Sequence, residues 1–137
     1  MNQPASPRLW QMFYVSRSTA TPQQLQPLLE QARQHNAAHG ITGALAYSGG
    51  HFAQVLEGDQ DALQALRQRI DADARHEQVR WLVDGPLAAR RHAGWAMAWV
   101  EAPGADDVLQ DVLAAPTLEP QRVQRLQERL FTGPAAA

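Results

Sequence analysis

The chain has 137 residues, of which 45% are hydrophobic and 19% charged, with a formal net charge of −2. This is the composition of one soluble globular domain with its own core, and the charge gives no electrostatic case for direct nucleic-acid binding. The absence of cysteine excludes disulfides, thiol catalysis and cysteine-based metal sites. With no apolar run of membrane-spanning length and no apolar secretion segment at the start, we expect a cytoplasmic protein without membrane contact.

The first elements are a strand and a helix. Residues 9–17 (LWQMFYVSR) are rich in aromatic and branched side chains and apolar on both faces, which predicts a central strand. Thr21, Pro22 and Gln24 form a helix start with a capping box, and Gly40 is placed to end that helix. Pro27 lies unusually deep for that start, which leaves open a later start or a kink in the first turns. Leu25, Leu29, Ala32 and Asn36 share one helical stripe, so Asn36 is expected on the inward face.

Residues 41–58 read as two strands joined at Gly49-Gly50. Strand alternation places Gln54 between Phe52 and Leu56 on a buried face. A buried amide left without hydrogen-bond partners costs roughly 1–3 kcal/mol, so a polar group must meet Gln54 there.

The second half of the chain predicts another helix capped by Asp59, a strand over residues 79–84 and a strand over residues 95–100. In the last strand Trp95, Met97 and Trp99 are expected on one face, and its packed character predicts a central position. The order β-α-β-β-α-β-β predicts an α+β fold, a ferredoxin-like sheet with two helices on one face and a cavity between them. Residues 104–137 predict a two-helix extension that covers the bare face of the sheet or meets another subunit.

Three histidine-containing patterns give only weak functional signals. His35 and His39 are four residues apart on a helix, but without a further ligand type nearby we predict no metal site. Arg90, Arg91 and His92 predict a solvated turn. From their spacing alone, Arg75 and His76 are also expected at the surface.

Tyr14, Asn36 and Gln54 indicate a polar cluster inside an apolar site. The residues alone allow two interpretations, a self-satisfied buried network or a ligand site suited to a flat heteroaromatic group. No glycine-rich phosphate loop, Ser-His-Asp arrangement or paired acid and base is present, so we predict a binding protein and not an enzyme.

Several short motifs occur in order between about residues 9 and 100. They are Tyr14-Val15-Ser16, His35-Asn36-Ala37 with Ile41-Thr42-Gly43, the strand FAQVLEG at residues 52–58, the turn Asp73-Ala74-Arg75-His76, and Trp95-Ala96-Met97. In these motifs and their spacing the chain resembles the BLUF family of blue-light sensors that use FAD.

The resemblance implies a role for each site residue. Asn36, His35, Arg75 and His76 would contact a noncovalently bound FAD, and Tyr14 would donate an electron and a proton through Gln54. Gln54 would then rearrange, by rotation or tautomerisation, and redden the flavin spectrum. Met97 and Trp95 would pass the change outward, and which of the two faces Gln54 is left open.

The resemblance also implies a short, single-domain sensor. Residues 1–102 would form the flavin-binding domain and residues 103–137 a helical extension that acts as a cap or as an oligomer or partner contact. We expect a homo-oligomer and a separate effector protein. The alternatives are a light-independent ferredoxin-like regulatory module that binds a metabolite or protein and, more distantly, a hydrolase of acylphosphatase type, for which residues 16–19 lack the required glycines.

Overall fold

The computed structural model describes residues 8–131. Residues 1–7 of the predicted flavin-binding domain and residues 132–137 of the predicted helical extension lie outside the described residues. Alternating apolar runs and capped amphipathic stretches produce nine elements within this range. They are β1 (Leu9–Ser18), α1 (Pro22–Ala38), β2 (Thr42–Ser48), β3 (His51–Asp59), α2 (Gln60–Asp71), β4 (His76–Pro86), β5 (Ala98–Glu101), α3 (Asp106–Ala114) and α4 (Pro120–Phe131). None of the helices between residues 8 and 131 is long and apolar enough to cross a membrane.

The strands form a single sheet in the order β4-β1-β3-β2-β5. β1 pairs antiparallel with both β3 and β4, and β3 also pairs antiparallel with β2, whereas β5 runs parallel to β2. The first four strands therefore have the ferredoxin-like order, which confirms the predicted fold class and the central position of β1.

Both faces of the sheet are covered by helices. α1 and α2 pack over a core that includes Met12, Leu45, Phe52, Leu56 and Leu63. α3 and α4 pack on the opposite face, where Leu109, Val112 and Leu126 meet Phe13 and Val55. The helical hairpin thus covers the face that the first two helices leave bare, and β3 is buried on both sides.

The start and end of α1 follow the sequence prediction. The backbone N–H of Thr21 donates to Gln24 Oε1 at 2.8 Å, and Gly40 follows the last turn with a φ of 65°. Positive φ is a conformation that glycine adopts without steric cost, so Gly40 suits this position. The helix begins at Pro22 with Pro27 inside it, so of the starts left open by the sequence the earlier one is observed.

The predicted last strand is wrong in both extent and position. β5 begins at Ala98, three residues later than predicted, and lies at the edge of the sheet beside β2. β1 and β3 already have a partner on each side, so the last strand can only join an edge of the sheet, and it joins the free edge of β2. Gly94, with a φ of 89°, turns the chain just before this point.

The basic run before β5 is not a solvated turn. The Arg90 guanidinium donates to Thr42 Oγ1, to the carbonyl of Glu57 and to the carbonyl of Gly40, at 2.8–3.1 Å. The buried carboxylate of Glu57 in turn accepts from the backbone N–H groups of Arg91 and His92 at 2.7 and 3.0 Å. The prediction failed because these partners are 33 to 50 residues away in the chain.

Candidate functional site

A cavity of about 310 Å³ lies where α1 and α2 meet the central strands, as the sequence predicts. Its volume is within the usual range for small-molecule sites. The cavity wall contains every residue that the sequence assigns to cofactor binding, together with apolar side chains of both helices. These lining residues are Tyr14, Leu28, Gln31, Ala32, His35, Asn36, Leu45, Phe52, Gln54, Leu66, Arg69, Ile70, Asp73, Arg75 and His76.

Gln54 is the centre of a short hydrogen-bonded chain in the wall of this cavity. Its side chain is 6% exposed. The Tyr14 hydroxyl donates to Gln54 Oε1 at 2.6 Å, and Gln54 Nε2 donates to Met97 Sδ at 3.5 Å. Tyr14 and Gln54 are also direct cross-strand partners in the β1–β3 pair. The strand register therefore creates the Tyr14–Gln54 contact.

Tyr14 is held as a neutral donor. Burial, reinforced by the negative charges of Asp73 and Asp71, raises the pKa of Tyr14 far above its ordinary value. Its ring packs against Trp81 with centroids 4.8 Å apart and meets the His76 ring edge-on at 5.8 Å. The hydroxyl consequently keeps its proton and its direction toward Gln54.

Asn36 and His35 present polar atoms from α1. Asn36 is 1% exposed, and its Nδ2 donates to the carbonyl of Ala96 at 2.8 Å. Arg69 Nη1 donates to His35 Nδ1 at 2.8 Å, so that nitrogen is the acceptor. Partial burial, followed by the positive charges of Arg69 and His39, lowers the pKa of His35 and favours the neutral ring.

Arg75 and His76 line the cavity, which corrects their expected surface position. Arg75 forms a salt bridge to Asp73 at 2.7 Å and donates to Gln31 Oε1 at 3.1 Å. His76 Nε2 lies 2.6 Å from the carbonyl of Ile70, so this nitrogen carries the proton. His76 Nδ1 then accepts from the Ser16 hydroxyl at 3.0 Å.

Trp95 and Met97 lie on different sides of the sheet, although a common face was predicted. Met97 is 1% exposed and packs in the core under α1 and α2, whereas Trp95 packs against the core under α3 and α4. Residues 95–97 precede β5, so strand alternation does not apply to them. Of the two side chains, Met97 is the one that contacts Gln54 in this structure.

Sequence reasoning missed several polar residues of the cavity, namely Gln31, Arg69 and Asp73. Gln31 carried a usable signal, because it lies four residues before His35 and therefore on the same face of α1. Arg69 and Asp73 come from α2 and the turn after it, and only the packing of α2 beside α1 brings them to the site. Among residues 8–131, no cluster of three metal-ligating side chains occurs.

The fold and the site together define a ligand-binding α+β module with a buried tyrosine–glutamine pair in its cavity wall. The family description "BLUF: Sensors of blue-light using FAD" matches residues 9–98, and the chain belongs to this family. The match spans β1 to the start of β5 and includes every residue of the cavity wall.

Individual relatives agree with this assignment. The chain is 37% identical over 93 residues to the photoactivated adenylate cyclase subunit beta of Euglena longa, which covers 65% of this chain and 11% of the relative. It is 31% identical over 90 residues to the blue light- and temperature-regulated antirepressor BluF of Escherichia coli K12, covering 64% of this chain and 22% of that protein. The chain thus matches only a small part of these curated relatives.

A solved structure of similar length also matches. The dark-state structure of BlrB, described as a BLUF protein, superimposes with a TM-score of 0.73 at 31% identity, covering 89% of this chain and 94% of that one. This agreement extends the likeness beyond residues 9–98 to most of the chain.

Proposed function

We propose that this protein is a blue-light receptor that binds FAD noncovalently in the cavity between α1 and α2. The observation that carries the proposal is the hydrogen-bonded chain Tyr14–Gln54–Met97, of which Tyr14 and Gln54 lie in the cavity wall. A thioether sulfur is a weak acceptor, so Gln54 Nε2 can still serve a stronger acceptor on a ligand. The residues present therefore fit a flat group with carbonyl and ring-nitrogen edges.

The binding residues have distinct roles in this proposal. Asn36 uses one amide hydrogen on Ala96, which leaves its second hydrogen and its oxygen for the polar edge of the ring. His35 packs beside the ring, and Arg75 and His76 contact its pyrimidine end. When bound, FAD supplies blue-light absorption and an excited state that accepts an electron.

The switch is the orientation of one amide. The proton on the Tyr14 hydroxyl can move along its hydrogen bond to Gln54 Oε1 as the tyrosine is oxidised. Gln54 then exchanges the direction of its donor and acceptor, by rotation or tautomerisation. Because the amide is buried, each orientation must be matched by partners of the right polarity, and this makes the site bistable.

The output is carried by protein contacts. We propose that the chain forms a homo-oligomer in the cytoplasm and acts on a separate effector protein, through α3 and α4 or through a rearranged interface. The cyclase activity named for the Euglena relatives does not transfer to this chain, since the match covers 11% of that protein. Light scattering after size exclusion, in darkness and under blue light, measures the oligomeric state.

An absorption spectrum tests the receptor function. We expect purified protein to be yellow, to shift its flavin band to longer wavelength in blue light and to recover in the dark. Acid denaturation should release unmodified FAD. A colourless protein that takes up no flavin on refolding would instead support the light-independent regulatory module.

Gln54→Leu tests the mechanism. Leucine fills a similar volume without an amide, so the variant should bind flavin and lose the light-induced shift. The matched control is Gln64→Leu, which makes the same change on the exposed side of α2 and should leave the shift intact. A normal shift in Gln54→Leu would contradict the amide switch.

A further inference from the structure

Three consecutive carbonyls just before β5 are held by three different groups. The carbonyl of Trp95 accepts from the backbone N–H of Gly43 at 3.1 Å, and that of Ala96 accepts from Asn36 Nδ2 at 2.8 Å. The carbonyl of Met97 accepts from Arg33 Nε at 3.0 Å. The strand pairing of β5 with β2 begins only at Ala98, so these bonds set the path of the chain at Met97.

Arg33 and Asn36 reach this segment from the same helix. They are three residues apart on α1 and therefore adjacent on its surface. Asn36 also lines the cavity, where the proposed function assigns it to flavin binding, whereas Arg33 is half-buried outside the cavity wall. Of these two α1 residues, Arg33 is therefore the one that holds the segment before β5 without also lining the flavin cavity.

The contact between Met97 and Gln54 depends on how this segment is held. A sulfur acceptor at 3.5 Å from Gln54 Nε2 is weak and has little directional force of its own. The Met97 side chain has three rotatable bonds and adapts readily to its surroundings. The position of Sδ is therefore determined mainly by where the Met97 backbone is held.

We propose that Arg33 is a positioning residue that fixes Met97 against Gln54 in the dark state. This inference rests on the proposed light-switch function. A guanidinium is a charged donor, and a charged donor makes a stronger hydrogen bond to a carbonyl than a neutral one does. Removal of Arg33 frees the Met97 backbone and lowers the cost of rearranging Gln54.

Two substitutions separate the hydrogen bond from the mere presence of a long side chain. In Arg33→Gln the amide nitrogen stands the same number of bonds from Cα as Arg33 Nε, so a donor is retained without the charge. In Arg33→Leu no donor remains, and both replacements are good helix formers. Arg33→Ala is a second donor-free variant in case the leucine disturbs packing.

Methionine-methyl NMR gives a readout independent of the photocycle. The chain has three methionines, Met1, Met12 and Met97, and Met97→Leu assigns the last of them. In dark, flavin-loaded Arg33→Leu we expect the Met97 resonance to move or broaden. The Met12 resonance is the internal control, because Met12 is fully buried in β1. Arg33→Gln should restore most of the wild-type signal.

Dark recovery provides the second readout. Arg33→Leu should bind flavin normally and recover about fivefold faster than wild type, which corresponds to about 1 kcal/mol. The proposal is overturned if the Met97 resonance and the recovery rate are unchanged in Arg33→Leu. It is also overturned if Arg33→Gln is as impaired as Arg33→Leu. If the wild-type protein shows no photocycle, the receptor function fails, and the dark NMR comparison still decides the role of Arg33.

Discussion

A single amide among large apolar side chains determines what this cavity can do. Gln54 has one strong partner, the Tyr14 hydroxyl at 2.6 Å, and one weak partner, the Met97 sulfur at 3.5 Å. An amide turned by half a rotation would present its nitrogen to Tyr14 and its oxygen to the sulfur. The protein partners alone therefore favour one orientation of the Gln54 amide. A ligand with its own donor or acceptor groups is needed to bring the free energy of the other orientation close to it.

Tyr14→Phe removes the hydroxyl and retains the ring contacts with Trp81 and His76. The variant should bind flavin and show almost no light-induced shift, because the electron and proton donor to Gln54 is gone. The measurement is the fraction of protein converted per absorbed photon. Tyr47→Phe is the matched control, since Tyr47 is the other tyrosine of the chain and lies outside the cavity wall. Wild-type conversion in Tyr14→Phe would exclude Tyr14 as the donor.

The residues of the site were predictable where local periodicity governs them. Strand alternation placed Gln54 on the buried face, and helical spacing placed Asn36 inward. Trp95 and Arg75 were misplaced because no local pattern governs them. Trp95 precedes β5 by three residues, and Arg75 is turned to the cavity by its bonds to Asp73 and Gln31.

In the β2–β3 hairpin the two strands approach each other closely at Gly43. The two strands join at Gly49-Gly50, and a Cβ added at Gly43 would lie 2.1 Å from the carbonyl oxygen of Val55. Gly43 also donates its backbone N–H to Trp95, so it contacts both β3 and the segment before β5. Only a residue without a side chain allows this approach.

Gly43→Ala should accordingly be strongly destabilising. We expect the free energy of unfolding to fall by about 3 kcal/mol, since the clash is with backbone atoms that cannot yield cheaply. Urea denaturation measures the loss. Gly85→Ala is the control, because nothing lies within 4 Å of the added Cβ in β4. Equal stability of the two variants would show that β2 and β3 are not as closely apposed as described.

Element order was predictable, whereas the last strand was not. Capping residues and apolar periodicity located β1 to α2 within a residue or two, because these signals are local. β5 was misjudged because its position depends on the loop before it. Arg90 and Arg91 of that loop form hydrogen bonds to Glu57, which is distant from them in the sequence.

In the molecule as a whole, the sheet is enclosed on both sides. α3 and α4 bury Leu109, Val112 and Leu126 against Phe13 and Val55 of the sheet. The tip of the β2–β3 hairpin also contacts α3, where His51 meets Asp106 and Gln110. The sequence left open whether these helices cap the sheet or meet a second subunit. Within one chain α3 and α4 pack over the sheet, and a contact with a second subunit stays a prediction. The division of the chain at residue 102 remains a prediction.

Truncation after residue 102 should therefore expose an apolar sheet face. We expect the shortened chain to self-associate and to bind a hydrophobic dye, because Phe13 and Val55 lose their cover. Size exclusion with light scattering measures the association, with the full-length chain at equal concentration as the control. A monomeric truncated chain of unchanged stability would show that α3 and α4 contribute little to the core.

The strands beneath α3 and α4 contribute four buried alanines, Ala44, Ala46, Ala53 and Ala98. Their small methyl groups leave room between the larger side chains of Phe13 and Val55, and Leu109, Val112 and Leu126 fill it. The helical pair is also fixed at separate points, by the edge-on contact of Phe13 with Phe131, the bond from Gly50 to Asp106 and the bonds from Arg80 Nη1 to the carbonyls of Val112 and Ala115. Any displacement of α3 and α4 must therefore change contacts with β1, β4 and the β2–β3 hairpin together.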